Sequence, residues 1–226
     1  MVPTNIVQAE SLGKQVKSPE GTLTILADIN LSIKQGESLA IIGISGSGKS
    51  TLLGLLAGLD IPTAGRVILD GSNLSQLDED GRAKIRAQSI GFVFQSFHLL
   101  PGLTALENTS LPLELADIDD AKKKAEKKLE EVGLIDRIHH YPNQLSGGEQ
   151  QRVAIARAFA GNPKIMFADE PTGNLDQKTA KRIIDLLFKL NKENGTTLIM
   201  VTHDNEIAHH CDRQVVIAGG QISEEK

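Results

Sequence analysis

A glycine-rich stretch with the sequence Gly43-Ile44-Ser45-Gly46-Ser47-Gly48-Lys49-Ser50-Thr51 fits the pattern G-x-x-x-x-G-K-[ST] and follows the apolar run Ser38–Ile42. Glycines can adopt positive φ, so the N–H groups of such a loop can converge on phosphate oxygens at the start of the next helix. Lys49 would reach the β- and γ-phosphates, and the Ser50 hydroxyl would ligate Mg²⁺. The alternative is a glycine- and serine-rich hairpin before an ordinary helix, but the strand pattern before the loop and the helix pattern after it favour phosphate binding.

Two adjacent acids end a second apolar run. Residues 165–168 are Ile-Met-Phe-Ala and lead directly into Asp169 and Glu170. Because side chains alternate along a strand, neighbouring acids at its end can do different work. Asp169 would hold Mg²⁺, and Glu170 would act as the general base toward an attacking water. The alternative is a pair of solvated acids before a Pro-Thr-Gly turn, and the phosphate loop makes that alternative weaker.

A third motif, Leu145-Ser146-Gly147-Gly148-Glu149-Gln150-Gln151-Arg152, places a hydroxyl and two glycine amides at the start of a helix. This is a second anion-binding site. One γ-phosphate can use both sites only if they face each other. With these three motifs the chain resembles the ATP-binding subunits of ABC transporters, whose signature is LSGGQ, with Glu149 standing in the fifth position. The resemblance covers essentially the whole chain.

The resemblance implies further roles. Gln95 would form the Q-loop and contact Mg²⁺ or the attacking water, Asp176 would form the D-loop, and His203 would be the switch histidine. Single residues of these types are otherwise surface or capping residues. Ser146, Gly147 and Gly148 would contact ATP bound to the opposite protomer. The implied ligands are therefore ATP and Mg²⁺, and the implied assembly is an ATP-dependent homodimer.

One expected element is missing. Members of this family usually stack adenine on an aromatic residue about 30 residues before the phosphate loop, and Val16 stands at that position. The sequence has no aromatic residue before Phe92. Loss of base stacking costs on the order of 1–3 kcal/mol, by analogy with stacking of single-stranded nucleic acids. We expect weaker binding and poorer base discrimination, with ATP binding retained.

A segment between the phosphate loop and the signature motif indicates a subfamily within this family. Residues 92–101 and 105–108 look like the subfamily of lipoprotein-release, macrolide-export and cell-division ATPases, especially its YbbA-like members. That resemblance implies a bacterial protein on the inner face of the cytoplasmic membrane and an integral-membrane permease on a separate chain. It leaves export, lipoprotein handling and mechanical transmission open. A regulatory or structural ABC ATPase at the membrane is the main alternative.

Composition excludes several other classes. The net charge is −5, which does not favour nucleic acid as a partner. The single cysteine, Cys211, allows no disulfide within the chain and is expected to fill apolar space near the last strand. Residues 1–5 do not begin a secretion signal, and no apolar run is long enough to cross a bilayer.

A soluble ABC ATPase of DNA repair or translation normally has coiled-coil insertions or basic extensions, and neither is present. The signature motif argues against a kinase or GTPase.

The order of elements predicts an α/β fold of the P-loop NTPase, RecA-like kind. Alternation around residues 6–12 and 23–33 predicts two paired antiparallel strands with a loop at 18–21. Strand and helix patterns then alternate around the motifs, which predicts a mainly parallel sheet. Residues 1–95 and 163–226 would form the nucleotide-binding core with an antiparallel β subdomain. Residues 96–162 would be an inserted helical subdomain. The lysine-rich pattern at 119–132 predicts an amphipathic helix with a solvated face, and contact with anionic lipid is the alternative.

Overall fold

The computed structural model describes residues 5–19 and 21–225. Residues 1–4, used above in the argument against a secretion signal, Glu20 of the predicted loop, and Lys226 lie outside the described residues. The chain divides into two compact units, one that ends at Arg86 and resumes at Thr197, and one that comprises Ala87–Thr196. Within the described ranges, no helix has both the length and the apolar character needed to cross a membrane.

The first unit contains two sets of strands and three helices. Its first segment contains β1 (Asn5–Ser18), β2 (Gly21–Lys34), β3 (Ser38–Ile42), α1 (Lys49–Leu56), β4 (Ala64–Leu69), β5 (Ser72–Asn73) and α2 (Glu79–Ser89), and the unit boundary at Arg86 lies within α2. Its second segment contains β8 (Thr197–Val201), α7 (Asn205–Ala208), β9 (Arg213–Ala218) and β10 (Gln221–Glu225). The second unit supplies β6 (Ile90–Phe94), α3 (Ala105–Leu115), α4 (Ala121–Glu131), α5 (Gly147–Phe159), β7 (Ile165–Asp169) and α6 (Gln177–Asn194).

The antiparallel subdomain of the first unit has the strand order β2-β1-β4-β5. The predicted pairing of the first two strands is confirmed, because β1 and β2 run antiparallel. Alternate residues of β1, such as Val7 and Ala9, are buried, as expected for a sheet with one face on a core. Both strands are longer than predicted. Ser18 pairs with Gly21, so both ends of the predicted loop at 18–21 belong to the paired strands.

The parallel strands of the first unit place the phosphate loop. β3 lies between β8 and β9, parallel to both. Its residues are buried nearly throughout, as expected for a strand covered on both faces. Asp212 fixes the start of β3, because its Oδ2 accepts hydrogen bonds from Ser38 N at 2.8 Å and Ser38 Oγ at 2.7 Å. Sequence reasoning missed β10, a mostly exposed strand that pairs with β9.

The second unit packs helices around two parallel strands. β6 and β7 pair in parallel, and Phe94 lies opposite Asp169 in the register. Helix α5 lies close to β6 at Gly91, where a Cβ would come within 2.5 Å of the Ala158 carbonyl oxygen. The predicted amphipathic helix is α4, with Ala125 and Leu129 fully buried. The predicted bounds of the helical insertion, residues 96 and 162, lie inside this unit and stay a prediction.

Candidate functional site

The phosphate loop predicted from the sequence leads from the end of β3 into α1, which begins at Lys49. Its glycines adopt φ angles of 153° at Gly43, 76° at Gly46 and 101° at Gly48. A Cβ on Gly43 would lie 2.3 Å from the Ile217 carbonyl oxygen. The loop therefore requires glycine both for backbone conformation and for space. Turns of this kind direct successive N–H groups toward one anion.

Lys49 and Ser47 are enclosed by this loop. Lys49 is 7% exposed, and its Nζ donates to the carbonyl oxygens of Gly43 and Ile44, both at 2.9 Å. The Ser47 hydroxyl is buried and has no hydrogen-bond partner among the residues described. A buried ammonium group and an unsatisfied buried donor are costly without an anionic acceptor. The loop therefore fits the phosphates of a nucleotide.

The remaining predicted side chains of the loop are accessible. Ser45 and Ser50 are exposed, and Thr51 is half-buried. Ser50 and Thr51 stand in the first turn of α1, where unpaired backbone N–H groups favour anions. The placement suits phosphate and Mg²⁺ binding, and their individual roles stay a prediction.

His203 lies beside the phosphate loop, within the same unit. It follows β8 and borders a cavity of about 390 Å³ together with Ile42, Gly43, Ile44, Asn205 and Val216. The His203 side chain is exposed where it borders that cavity. These residues are far apart in the sequence, so only the family resemblance could predict that His203 lies near the phosphate loop.

The predicted acidic pair stands at the end of β7. Residues 165–168 are fully buried, whereas Asp169 and Glu170 are only half-buried. Glu170 has a φ of 45°, in the left-handed region that side chains other than glycine rarely adopt. Its carbonyl oxygen accepts a hydrogen bond from Gly173 N at 3.0 Å. A tight turn therefore follows directly after the acidic pair, and the separate roles of the two carboxylates stay a prediction.

Gln95 and the D-loop are joined in the second unit. Gln95 Nε2 donates to Asn174 Oδ1 at 3.1 Å, and Asn174 Nδ2 donates back to the Gln95 carbonyl oxygen at 3.1 Å. Gly173 makes room for this pair, because a Cβ there would lie 2.6 Å from Gln95 Nε2. The structure therefore brings the predicted Q-loop and D-loop together, through a residue, Asn174, to which sequence reasoning gave no role.

Gln151 is a second residue that sequence reasoning missed. It is fully buried in α5, and its Nε2 donates to the carbonyl oxygens of Phe94, at 3.4 Å, and of Pro171. Phe94 directly precedes Gln95 in the chain, and Pro171 directly follows Glu170. One side chain of the signature helix thus fixes the backbone beside two predicted catalytic residues. The sequence offered one signal of this role, which was a glutamine on the apolar face of a predicted helix.

The signature motif forms the beginning of α5. Ser146 is the N-cap, and Gly147 and Gly148 occupy the first turn. Gly148 packs against α6, because a Cβ on it would lie 2.6 Å from Thr179 Cγ2. Ser146 is exposed. The helix start therefore presents the hydroxyl and the two glycines that the sequence predicts, and their binding of an anion stays a prediction.

Asp176 caps the beginning of α6. Its Oδ1 accepts a hydrogen bond from Thr179 N at 3.0 Å, and hydrogen bonding to Thr179 lowers the pKa of its carboxyl group. The signature and the D-loop border one cavity of about 350 Å³, which Arg152 and Arg182 also line. Two guanidinium groups beside a helix start make this cavity suitable for phosphate. Any direct role of Asp176 toward a nucleotide stays a prediction.

Val16 lies in β1, opposite Leu23 of β2, and is half-buried. Leu23 is 58% exposed. The two aliphatic side chains at this register position give the hairpin an apolar surface without a π-face. The expected weakening of base stacking stays a prediction.

The predicted Mg²⁺ ligands are Ser50 in the first unit and Asp169 in the second. Each carries an oxygen ligand of the hard type that this ion prefers. The structure holds no group of three or more His, Cys, Asp or Glu placed for a metal within residues 5–19 and 21–225. Mg²⁺ usually uses one or two carboxylates together with substrate phosphates. That Ser50 and Asp169 hold this ion stays a prediction, and the bound ion would neutralise phosphate charge.

An enclosed lysine in a glycine loop between strand and helix defines the class of P-loop nucleoside triphosphatases. A family model described as "ABC transporter" matches residues 26–173. Over the whole of both chains, the protein is 54% identical to an uncharacterized ABC transporter ATP-binding protein, YbbA, of Escherichia coli K12. It is 48% identical to the lipoprotein-releasing system ATP-binding protein LolD of Legionella pneumophila strain Lens, over 96% of each chain.

A solved structure gives the same result. The ATP-binding cassette MJ0796, in a dimeric post-hydrolysis state bound to ADP and phosphate, is 45% identical and superposes with a TM-score of 0.90 over 97% of each chain. The chain therefore belongs to the ABC transporter family. It is an ATP-binding and ATP-hydrolysing subunit of the subfamily predicted from the sequence, and the predicted P-loop NTPase fold is confirmed.

Proposed function

We propose that this subunit forms an ATP-dependent homodimer that drives a separate integral-membrane permease from the cytoplasmic face of the membrane. The observation that carries the proposal is that one chain presents two anion-binding helix starts. One is the phosphate loop before α1, and the other is the exposed beginning of α5. In a head-to-tail dimer, the α5 start of each protomer meets the nucleotide of the other. The dimeric state of MJ0796 with ADP and phosphate supports this arrangement.

Within that dimer, Glu170 is the general base. Its carboxylate takes a proton from water as the water oxygen forms a bond to the γ-phosphorus, and the bond to the β,γ-bridging oxygen breaks to release ADP. Lys49 holds the β- and γ-phosphates, and Ser146 with the amides of Gly147 and Gly148 faces the γ-phosphate. Gln151 supports the position of Glu170 through the carbonyl oxygen of Pro171.

The second unit of this chain offers a docking region for the membrane subunit. A cavity of about 530 Å³ opens between β6, α3 and α5 and is lined by apolar residues such as Phe92 and Leu113. Arg157 also lines it. Its guanidinium donates to the carbonyl oxygens of Phe97, at 2.9 Å, and His98, at 2.6 Å. The side chain of Arg157 thus links this cavity to the loop that follows Gln95.

That loop has an unusual backbone. Phe97 and His98 have φ angles of 57° and 48°, so two successive non-glycine residues are in the left-handed region. Such residues cost on the order of 1–3 kcal/mol each and are found at switch regions. Leu100, three positions after Phe97, is 45% exposed, so its side chain is not part of the core. The loop is the region through which we expect the membrane subunit to sense nucleotide at Gln95.

The experiment that tests this function is replacement of Leu100 with glutamine. The variant is expected to bind the membrane subunit at least about 10-fold more weakly, since burial of one leucine stabilises a contact by about 1.5–3 kcal/mol. ATP binding by the isolated subunit should not change. The measurements are pull-down titration with the membrane subunit and nucleotide-binding calorimetry.

Leu59 provides the matched control, because it is 49% exposed and belongs to the first unit. Leu59→Gln should leave the membrane subunit's affinity unchanged. If Leu100→Gln folds and assembles normally, the docking surface lies elsewhere. If no membrane subunit stimulates the wild-type ATPase, the proposed transporter function is wrong.

Replacement of Gln95 with alanine should separate binding from coupling. We expect turnover stimulated by the membrane subunit to fall at least about 10-fold, while ATP affinity changes less than about 3-fold, since the amide orients reacting groups more than it binds them. Asn174→Ala is the control, because it removes the side-chain bond that Gln95→Ala also removes, together with the bond that Asn174 donates to the Gln95 carbonyl oxygen. Equal losses in both variants would mean that Gln95 only anchors the D-loop.

A further inference from the structure

The carboxylate of Glu149 occupies the helix start that the proposed dimer uses for the γ-phosphate. Its Oε2 accepts hydrogen bonds from Ser146 N at 2.8 Å and from Ser146 Oγ at 2.7 Å. Glu149 N points back to Ser146 Oγ at 3.4 Å, which completes a capping box. The single hydroxyl proton of Ser146 is therefore already donated within its own helix.

The same carboxylate is charged. Hydrogen bonding to Ser146 lowers the pKa of Glu149, so this group is ionised at neutral pH. Arg137 partly balances the charge from the other carboxylate oxygen, with Nε at 3.5 Å from Oε1. Arg137 is half-exposed, so solvent weakens this pair. A phosphate that approaches Ser146 thus meets an anion that is only partly neutralised.

We propose that Glu149 competes with the γ-phosphate of the opposite protomer for the Ser146 hydroxyl and for the start of α5, and so sets the ATP concentration at which the dimer closes. Arg137 is a positioning residue in this competition. Its guanidinium group partly neutralises Glu149 and so lowers the ATP concentration at which the dimer closes. The inference rests on the proposed ATP-dependent dimer. It assigns a regulatory role to the signature residue in which the chain departs from LSGGQ.

A second capping box in the same unit separates this role from helix stability. At the start of α3, Glu107 Oε2 accepts from Thr104 N and from Thr104 Oγ1, both at 2.8 Å, and Glu107 N points to Thr104 Oγ1 at 3.3 Å. These bonds match those of Glu149 almost atom for atom. Glu107 has no place in the proposed nucleotide site. Replacement of either glutamate by glutamine keeps the shape and a capping-box acceptor but removes the charge.

The test measures ATP-dependent dimerisation by light scattering in the Glu170→Gln background, with ATP as the ligand. Adding Glu149→Gln should lower the ATP concentration for half-maximal dimerisation by about 3- to 10-fold, as expected for removal of one charge at a helix start. Adding Glu107→Gln should leave this concentration unchanged. Thermal unfolding of the two variants should shift by similar small amounts, and ATP affinity of the monomer should stay the same.

Arg137 supplies the second arm. Arg137→Gln should raise the half-maximal ATP concentration by about 2- to 5-fold when Glu149 is present, and it should have no effect in the Glu149→Gln background. An unchanged midpoint for Glu149→Gln overturns the inference. A raised midpoint overturns it too and means that the carboxylate prepares Ser146 for phosphate. An equal shift for Glu107→Gln also overturns it, since the effect would then be one of overall charge. If the Glu170→Gln parent itself does not dimerise with ATP, the proposed function fails, and this inference fails with it.

Discussion

Replacement of Lys49 with alanine is expected to reduce ATP hydrolysis at least about 100-fold and to weaken ATP binding strongly. Loss of one preorganised charged donor at a reacting phosphoryl group has an effect of this size. In the structure the Lys49 ammonium is enclosed by the phosphate loop, where it donates hydrogen bonds to the carbonyl oxygens of Gly43 and Ile44. A phosphate is a far stronger acceptor than either carbonyl, so the side chain is ready to change partners. Steady-state turnover and nucleotide calorimetry measure the two effects.

Lys128→Ala is the matched control for this experiment. The Lys128 side chain is 13% exposed and pairs with Glu131, so its loss also removes a largely buried lysine stem and an ion pair. Turnover by that variant should remain within about 2-fold of wild type, as is usual for a surface pair. Normal hydrolysis by Lys49→Ala would contradict the assignment of the phosphate loop.

The phosphate loop could be predicted from the sequence because its physics is local. Gly43, Gly46 and Gly48 need their positive φ angles whatever surrounds them, and Lys49 follows directly at the helix start. The same applies to the end of β7, where an apolar run stops at Asp169. The local sequence also carries the signals of two helix starts. Thr104 with Glu107, and Ser146 with Glu149, each fit the capping-box pattern.

β10 was missed although its turn is readable. Gly219 and Gly220 have φ angles of 56° and 77°, and a Gly-Gly pair after a strand favours a two-residue hairpin. The strand that follows is polar and largely exposed, so hydrophobic alternation gave no sign of it.

The supporting contacts of the site could not be predicted, because they join distant parts of the chain. Gln151 reaches the carbonyl oxygens of Phe94 and Pro171, and Arg157 reaches those of Phe97 and His98. In each case a side chain binds backbone atoms, which carry no residue-specific signal. Only the packing of α5 against its neighbours brings these groups together.

Replacement of Glu170 with glutamine is expected to lower turnover by about 100- to 10,000-fold and to make the ATP-bound dimer long-lived. The change keeps the size of the side chain but removes its ability to take a proton from water. Glutamine has the same backbone demands as glutamate, so the left-handed φ of 45° at this position and the hydrogen bond from Gly173 N should persist. ATP binding should therefore survive while hydrolysis stops. Single-turnover kinetics and light scattering with ATP measure the two results.

The outcome separates general-base catalysis from simple charge effects when it is set beside Glu130→Gln. Glu130 is an exposed acid at the end of α4, and its replacement changes the net charge by the same amount. That variant should hydrolyse ATP normally and should show no persistent dimer. Near-normal turnover by Glu170→Gln would exclude Glu170 as the base. Loss of turnover without an ATP-dependent dimer, even with the membrane subunit supplied, would contradict the shared nucleotide site, because a trapped ATP should hold the α5 starts of both protomers in place.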